Sequence, residues 1–123
     1  MRSAIACALL ALTLTLTMAT TADAGTPSCW RFRHDRQISR CFIVRAAEHY
    51  HQSSSQALYI GWRESRYHYR VTNGSSGAAG LFQFMPTTWA HSPYRHRSPY
   101  NPRWAALAAM WYWAHGGKFH WNA

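Results

Sequence analysis

The stretch Glu64 to Gln83 reads E-S-R-Y-H-Y-R-V-T-N-G-S-S-G-A-A-G-L-F-Q, and it limits the possible folds more than any other. Just before it, Ser55 to Ser65 carries Ala57, Ile60, Gly61 and Glu64 at i, i+3, i+4 and i+7. That spacing predicts a helix with all four on one face. Glu64 then closes the helix inside its apolar arc, while Gln56 and Arg63 point elsewhere. A carboxyl pressed against apolar groups resists ionisation. An acid of that kind can protonate a leaving oxygen, which is what cleavage of a glycosidic bond requires.

The rest of the chain surrounds this helix with further helices. Ser39 can cap a helix running to about His51, with Cys41, Val44, Ala47 and Glu48 placed by its period. His51 to Ser55 is a polar break, and one of its serines caps the next helix. Arg66 to Ser76 is polar and aromatic and turns at Asn73-Gly74, so it is expected to be a small β-hairpin or an irregular lobe. Gly77 and Gly80 permit close backbone approach. Leu81 to Met85 is apolar and is expected to be a buried short helix. Pro86 suits the first turn of another short helix carrying Trp89. His91 to Asn101 is expected to be a surface loop. Asn101-Pro102 opens a last helix that runs to about His115 and ends at Gly116-Gly117. In it Trp104, Leu107, Ala108, Trp111 and His115 recur at helical spacing, and Ala105, Ala106, Ala108 and Ala109 leave room for a neighbouring helix. The expected fold is mostly α, one domain with a small irregular or β-hairpin lobe.

Met1 to Ala24 reads as a secretory signal peptide, with Arg2, an apolar Ile5–Met18 stretch and an Ala22-Asp23-Ala24 cleavage site. The apolar stretch is shorter than the roughly 20 residues that span a bilayer. The domain is therefore expected to be residues 25–123, exported, without stable membrane insertion. All seven Trp and all seven Tyr lie in it. Cys29 and Cys41 are its two cysteines, and in an oxidising compartment they most simply form one disulfide; two free buried thiols are the alternative. The formal net charge of +9 points to an anionic polymer partner. Nucleic acid fits poorly, because no recognition-helix, zinc-finger or RNP pattern occurs. Eight histidines offer no H-E-x-x-H spacing, so neither metal nor cofactor is expected. Ser65 lacks the G-x-S-x-G setting of a serine hydrolase.

The chain has four acidic residues, and beyond residue 24 only Asp35 and Glu48 accompany Glu64. Both stand in basic, surface-like contexts. Most glycosidases use two carboxylates at defined separations, so a mechanism with one acid fits better.

Glu64-Ser65, followed by G-A-x-G-L-x-Q-x-M-P-x-T-W from Gly77 to Trp89, resembles the soluble lytic transglycosylase family of the lysozyme-like superfamily. The likeness covers roughly Gln56 to Trp121 and is to the short secreted form. It implies a lysozyme-like single domain that acts as a monomer on peptidoglycan glycan strands. In that reading Glu64 protonates the MurNAc–GlcNAc linkage, the muramic 2-acetamido group helps expel the leaving sugar, and Glu64 then takes the 6-hydroxyl proton as a 1,6-anhydro ring closes. Attack by water, as in goose-type lysozymes, is the rival reaction. A cationic wall-binding module without activity is the rival class. The resemblance also implies substrate-binding roles for Ser76, near the acid and the acetamido group, for Gln83, lining the cleft, and for Phe82, an apolar wall where the family usually has methionine. Tyr112 matches an aromatic on the last helix that flanks the acid, and Trp111 and Trp113 compete for that place. The A-Y-N-x-G segment common near the end of family members is replaced here by Gly116-Gly117-Lys118-Phe119-His120-Trp121.

Overall fold

The computed structural model describes residues 27–122; the expected signal peptide and cleavage point lie outside them. A 3-10 turn, Cys29–Arg31, leads into α1 (Asp35–His49) and α2 (Ser54–Ser65). After the lobe come α3 (Pro86–Ala90), α4 (Pro102–Ala114) and a C-terminal 3-10 segment, Lys118–Trp121. The fold is mostly helical, as expected.

The core forms where α1 packs on α4 and α2. Ala105, Ala106, Ala108 and Ala109 of α4 are fully buried, and small side chains let Ile43, Ala46 and Ala47 of α1 come close. Trp104, Leu107 and Trp111, which recur at helical spacing, sit half-buried at the edge of this contact, and His115 is exposed. On α2, a Cβ added at Gly61 would lie 2.6 Å from the Ile43 side chain, so any larger residue there would have to displace the Ile43 methyl or open the α1–α2 contact.

Two expected boundaries are corrected. α1 starts at Asp35 rather than after Ser39. Burial of Ile38 extends the helix upstream, and Asp35 in the first turn suits the positive end of the helix dipole. Ser39 is not a cap; it is buried, and its hydroxyl donates to Tyr67 O at 2.8 Å. The second correction concerns Leu81 to Met85, which form a tight turn and no helix. Gly80 and Gln83 both adopt left-handed φ, +77° and +51°, and Ala79 and Phe84 exchange backbone hydrogen bonds of 3.0 Å across the turn. That pairing cannot coexist with helical hydrogen bonds. The lobe is closed by two isolated antiparallel bridges, Thr72–Ala79 and Ala79–Phe84, so it stops short of a β-hairpin. The remaining boundaries follow the turn chemistry. Ser53 accepts from Gln56 N at 3.3 Å to cap α2, and Asn101 accepts from Arg103 N at 3.0 Å to cap α4.

Cys29 and Cys41 form the expected disulfide, tying the N-terminal turn to α1. Cross-linking positions 12 residues apart stabilises by about 3 kcal/mol. Replacing both cysteines by alanine should therefore lower the Tm by on the order of 10 °C, measured by circular dichroism. Gly80 gives a sharper test of the lobe. A Cβ there would strike the carbonyl oxygen of Pro99, and φ is left-handed. Gly80→Ala should cost at least about 2 kcal/mol, seen as a lower denaturant midpoint at unchanged slope.

Candidate functional site

Glu64 stands in the last turn of α2, and the chain bends sharply away two residues later. Arg66 and Tyr67 take left-handed φ of +53° and +65°, conformations that cost on the order of 1 kcal/mol or more for residues with a side chain. Arg66 N closes the helix on Trp62 O at 2.8 Å, and its guanidinium lies 3.6 Å from the Trp62 ring centre.

Its surroundings differ from the apolar pocket that the spacing suggests. The Glu64 side chain is 24% exposed, and its Oε1 accepts from Arg63 Nη2 at 2.9 Å and Nε at 3.3 Å. Consecutive helical side chains do not normally face each other. Arg63 is turned back because Trp121 O accepts from the same Nη2. A three-part contact results, Glu64 to Arg63 to the C-terminal segment. Oε2 makes no hydrogen bond to any described residue and is the oxygen open to an incoming group.

Ser65, next along the chain, is buried at 7% exposure and donates to Gly61 O at 3.1 Å and Leu81 O at 2.8 Å. It thereby pins the Gly80–Phe84 turn to the end of α2. Trp121 closes the third side. Its indole Nε1 donates to Phe82 O at 2.8 Å, and its ring packs edge-on against Phe84 and Phe82 at 5.3 and 6.3 Å.

The other expected residues divide. Gln83 stands on the pinned turn, half-buried, with its Nε2 donating to Gly80 O at 2.9 Å and Val71 O at 3.3 Å. Phe82 is fully buried beneath the turn. Ser76 is exposed in the lobe, where its hydroxyl accepts from Ala78 N at 3.2 Å and holds the turn around Asn73. The Tyr112 hydroxyl donates to Thr88 O at 2.6 Å, and burial pushes its pKa up. Its ring lies 6.1 Å from Trp121, so it supports the segment that contacts Arg63. Of its competitors, Trp111 stacks on His115 at 4.4 Å, and Trp113 is buried with its indole N–H unpartnered among the described residues.

The C-terminal segment divides two hollows. One, of about 240 Å³, is bordered by Gln56, Tyr59, Arg63, Lys118 and Trp121; the other, of about 310 Å³, by Thr87, Thr88, His91, Tyr112 and His120. Both are open and shallow, as suits an extended polymer better than a small enclosed ligand. Among the described residues, no group of three His, Cys, Asp or Glu side chains gathers to hold a metal, and no helix is long and apolar enough to cross a membrane.

Sequence reasoning misses Arg63 and Trp121, and it gives Ser65 no role. The signal for Ser65 is its position beside the glutamate, where a small donor can reach the opposite turn. Nothing local predicts that Arg63 folds back, because its second partner is remote in the sequence.

The family model for the transglycosylase SLT domain matches residues 41–116, from Cys41 in α1 to Gly116 after α4. No curated protein and no solved structure matches the chain.

Removing the Ser65 hydroxyl strands the buried Leu81 carbonyl. Ser65→Ala is expected to cost about 1–3 kcal/mol. Hydrogen exchange should quicken at the amides of residues 81–84 while α1 and α4 keep their relative protection; uniform exchange across the turn and α1 would refute the pinning role.

Proposed function

The chain belongs to the transglycosylase SLT domain family, whose activity is directed at peptidoglycan, and from that membership we propose an exported enzyme that cuts the MurNAc–GlcNAc β-1,4 bond with Glu64 as its single acid. The observation that carries the reading is the placement of Glu64: an accessible carboxyl at the terminus of α2, oriented by Arg63 through one oxygen, beside a turn that Ser65 fixes.

In the proposed reaction, Oε2 carries the proton and delivers it to the glycosidic oxygen as the bond to the muramic C1 breaks. The muramic 2-acetamido oxygen attacks C1 as the leaving sugar departs with the proton. Glu64, now a carboxylate, takes the proton of the muramic 6-hydroxyl. O6 displaces the acetamido oxygen at C1, which closes a 1,6-anhydro ring and returns Glu64 to its acid form. No water is consumed. A single acid suits the charge layout. Asp35 stands at the start of α1 and Glu48, exposed, near its end, so neither is on α2 beside the turn that Ser65 fixes. Gln83, on the turn pinned to α2, is the group proposed to read sugar amides, with Ser76 and Tyr112 in supporting places at the lobe and α4. The Cys29–Cys41 disulfide supports an oxidising, extracytoplasmic setting. The domain is proposed to comprise residues 25–123 and to act as a monomer.

Glu64→Gln keeps the shape and removes the titratable proton. It should slow the clearing of purified wall suspensions by about 10²-fold or more, the scale of general acid catalysis, with the Tm held within a few degrees. Clearing at the parent rate would overturn the assignment. Mass spectrometry of the released muropeptides should show ends lighter by one water than hydrolytic products. Reducing ends would instead assign the lysozyme-type reaction.

A further inference from the structure

Away from Glu64, a cavity of about 500 Å³ opens between the second half of α1 and the first half of α4. Trp30, Tyr94 and Trp104 supply its aromatic surface, and Arg45, Arg103 and His49 its cationic and titratable groups; no carboxylate lines it. The volume falls in the range of ligand sites, which run from about 300 to 1,000 Å³. We propose that this groove is a second, non-catalytic site that binds an acidic saccharide, a pyranose ring carrying a carboxylate.

The aromatic groups are held ready. Trp30 is 48% exposed, a large exposure for an indole, yet it is braced edge-on by Phe42 at 5.2 Å and Tyr69 at 6.3 Å. Tyr94 lies 5.9 Å from Trp104, and its hydroxyl is fixed by a 2.5 Å hydrogen bond with that of Tyr50. Rigid aromatic faces lose little entropy when they cover the C–H face of a sugar.

The two arginines have no carboxylate partner among the described residues. Among the described residues the ion pairs are Arg63–Glu64 and Arg70–Asp35, so neither Arg45 nor Arg103 is paired with a carboxylate. Arg45 donates to Pro27 O, and the Arg103 guanidinium lies 4.7 Å from the Trp104 ring centre, with that of Arg97 at 4.8 Å. Arg103 stands in the first turn of α4, where a cation opposes the helix dipole. Its charge thus does nothing for the helix and is available to an anion. Guanidinium groups pair with carboxylates in two-pronged fashion, and a stacked ring beside them selects a sugar that carries one.

The groove is distinct from the proposed catalytic end. Trp104 and Tyr112 are eight residues apart on α4, a rise of roughly 12 Å. The choice of peptidoglycan glycan free of stem peptides, where the muramic lactyl carboxylate is exposed, as the source of the saccharide rests on the function proposed above; the groove itself does not. A sugar–phosphate polymer would present an anion of the same sign, and the experiment separates the two.

The full chain with Glu64→Gln is titrated with the peptide-free GlcNAc–MurNAc disaccharide, whose lactyl carboxylate is free, with the neutral GlcNAc dimer and with a glycerol-phosphate polymer, while the indole N–H signals are followed by NMR. The carboxylated disaccharide should shift the Trp30 and Trp104 signals. Arg45→Gln combined with Arg103→Glu should weaken that response at least tenfold and leave the shifts at Trp121. An acidic residue suits the first turn of α4, so this variant should keep its Tm; if it does not, Arg103→Glu alone provides the same reading. On the active background the double variant should cleave short soluble glycans normally and clear whole walls more slowly. The proposal is overturned if the disaccharide leaves Trp30 and Trp104 unmoved, if the folded variant binds it as the parent does, if the neutral dimer binds equally well, or if only the phosphate polymer binds. Wall clearing that survives Glu64→Gln would instead sink the catalytic reading and leave the binding result intact.

Discussion

A single hydroxyl joins the two parts that have to meet. Ser65 Oγ donates into the carbonyls of Gly61 and Leu81, one on the acid-bearing helix and one on the opposing turn. The bond to Leu81 is short and buried, and without it that carbonyl has no partner among the described residues, so its loss costs more than its formation contributes. The turn it holds is itself under tension, since Gln83 adopts a left-handed conformation that is costly for a residue with a side chain. Gly80 relieves part of that tension by adopting the same conformation at no steric cost. The geometry around Glu64 is therefore a balance between local backbone strain and one well-placed donor.

Electrostatics adds a second layer. The protein carries +9 with only four acidic residues, so every carboxylate sits in a field of cations. Two of those described, Asp35 and Glu64, have settled against arginines. The Arg63 contact orients Glu64 by engaging one oxygen and leaving the other free.

Much of this was legible in the residues. Two of the helices that bear the core were readable because caps and period agreed: Ser53 before α2, Asn101-Pro102 before α4, and glycines after it. The mostly helical class, the disulfide and the place of Glu64 at a helix end came out of the same local rules. The failures lie where hydrogen bonding or packing outside the helical period decides the shape. Leu81 to Met85 looks helical because it is apolar, but the cross-turn pairing of Ala79 with Phe84 decides its shape. Helical spacing points Arg63 away from Glu64, and a carbonyl 58 positions later reverses it. The motif around Phe82 suggests an open apolar wall, and tertiary packing buries the ring. In the last two cases a partner distant in sequence overrode a local preference.

Trp121 is fastened by unlike bonds on two sides. Its indole N–H is spent on the Phe82 carbonyl, its own carbonyl receives Arg63, and its ring fills the space beside Phe84. Lifting this segment would break both links and bare the indole to water together. The border it forms is thus a fixed kerb rather than a hinged flap. A glycan strand passing Glu64 would have to bend or rotate its own sugars to fit, and the flexibility needed for a productive encounter would lie in the polymer.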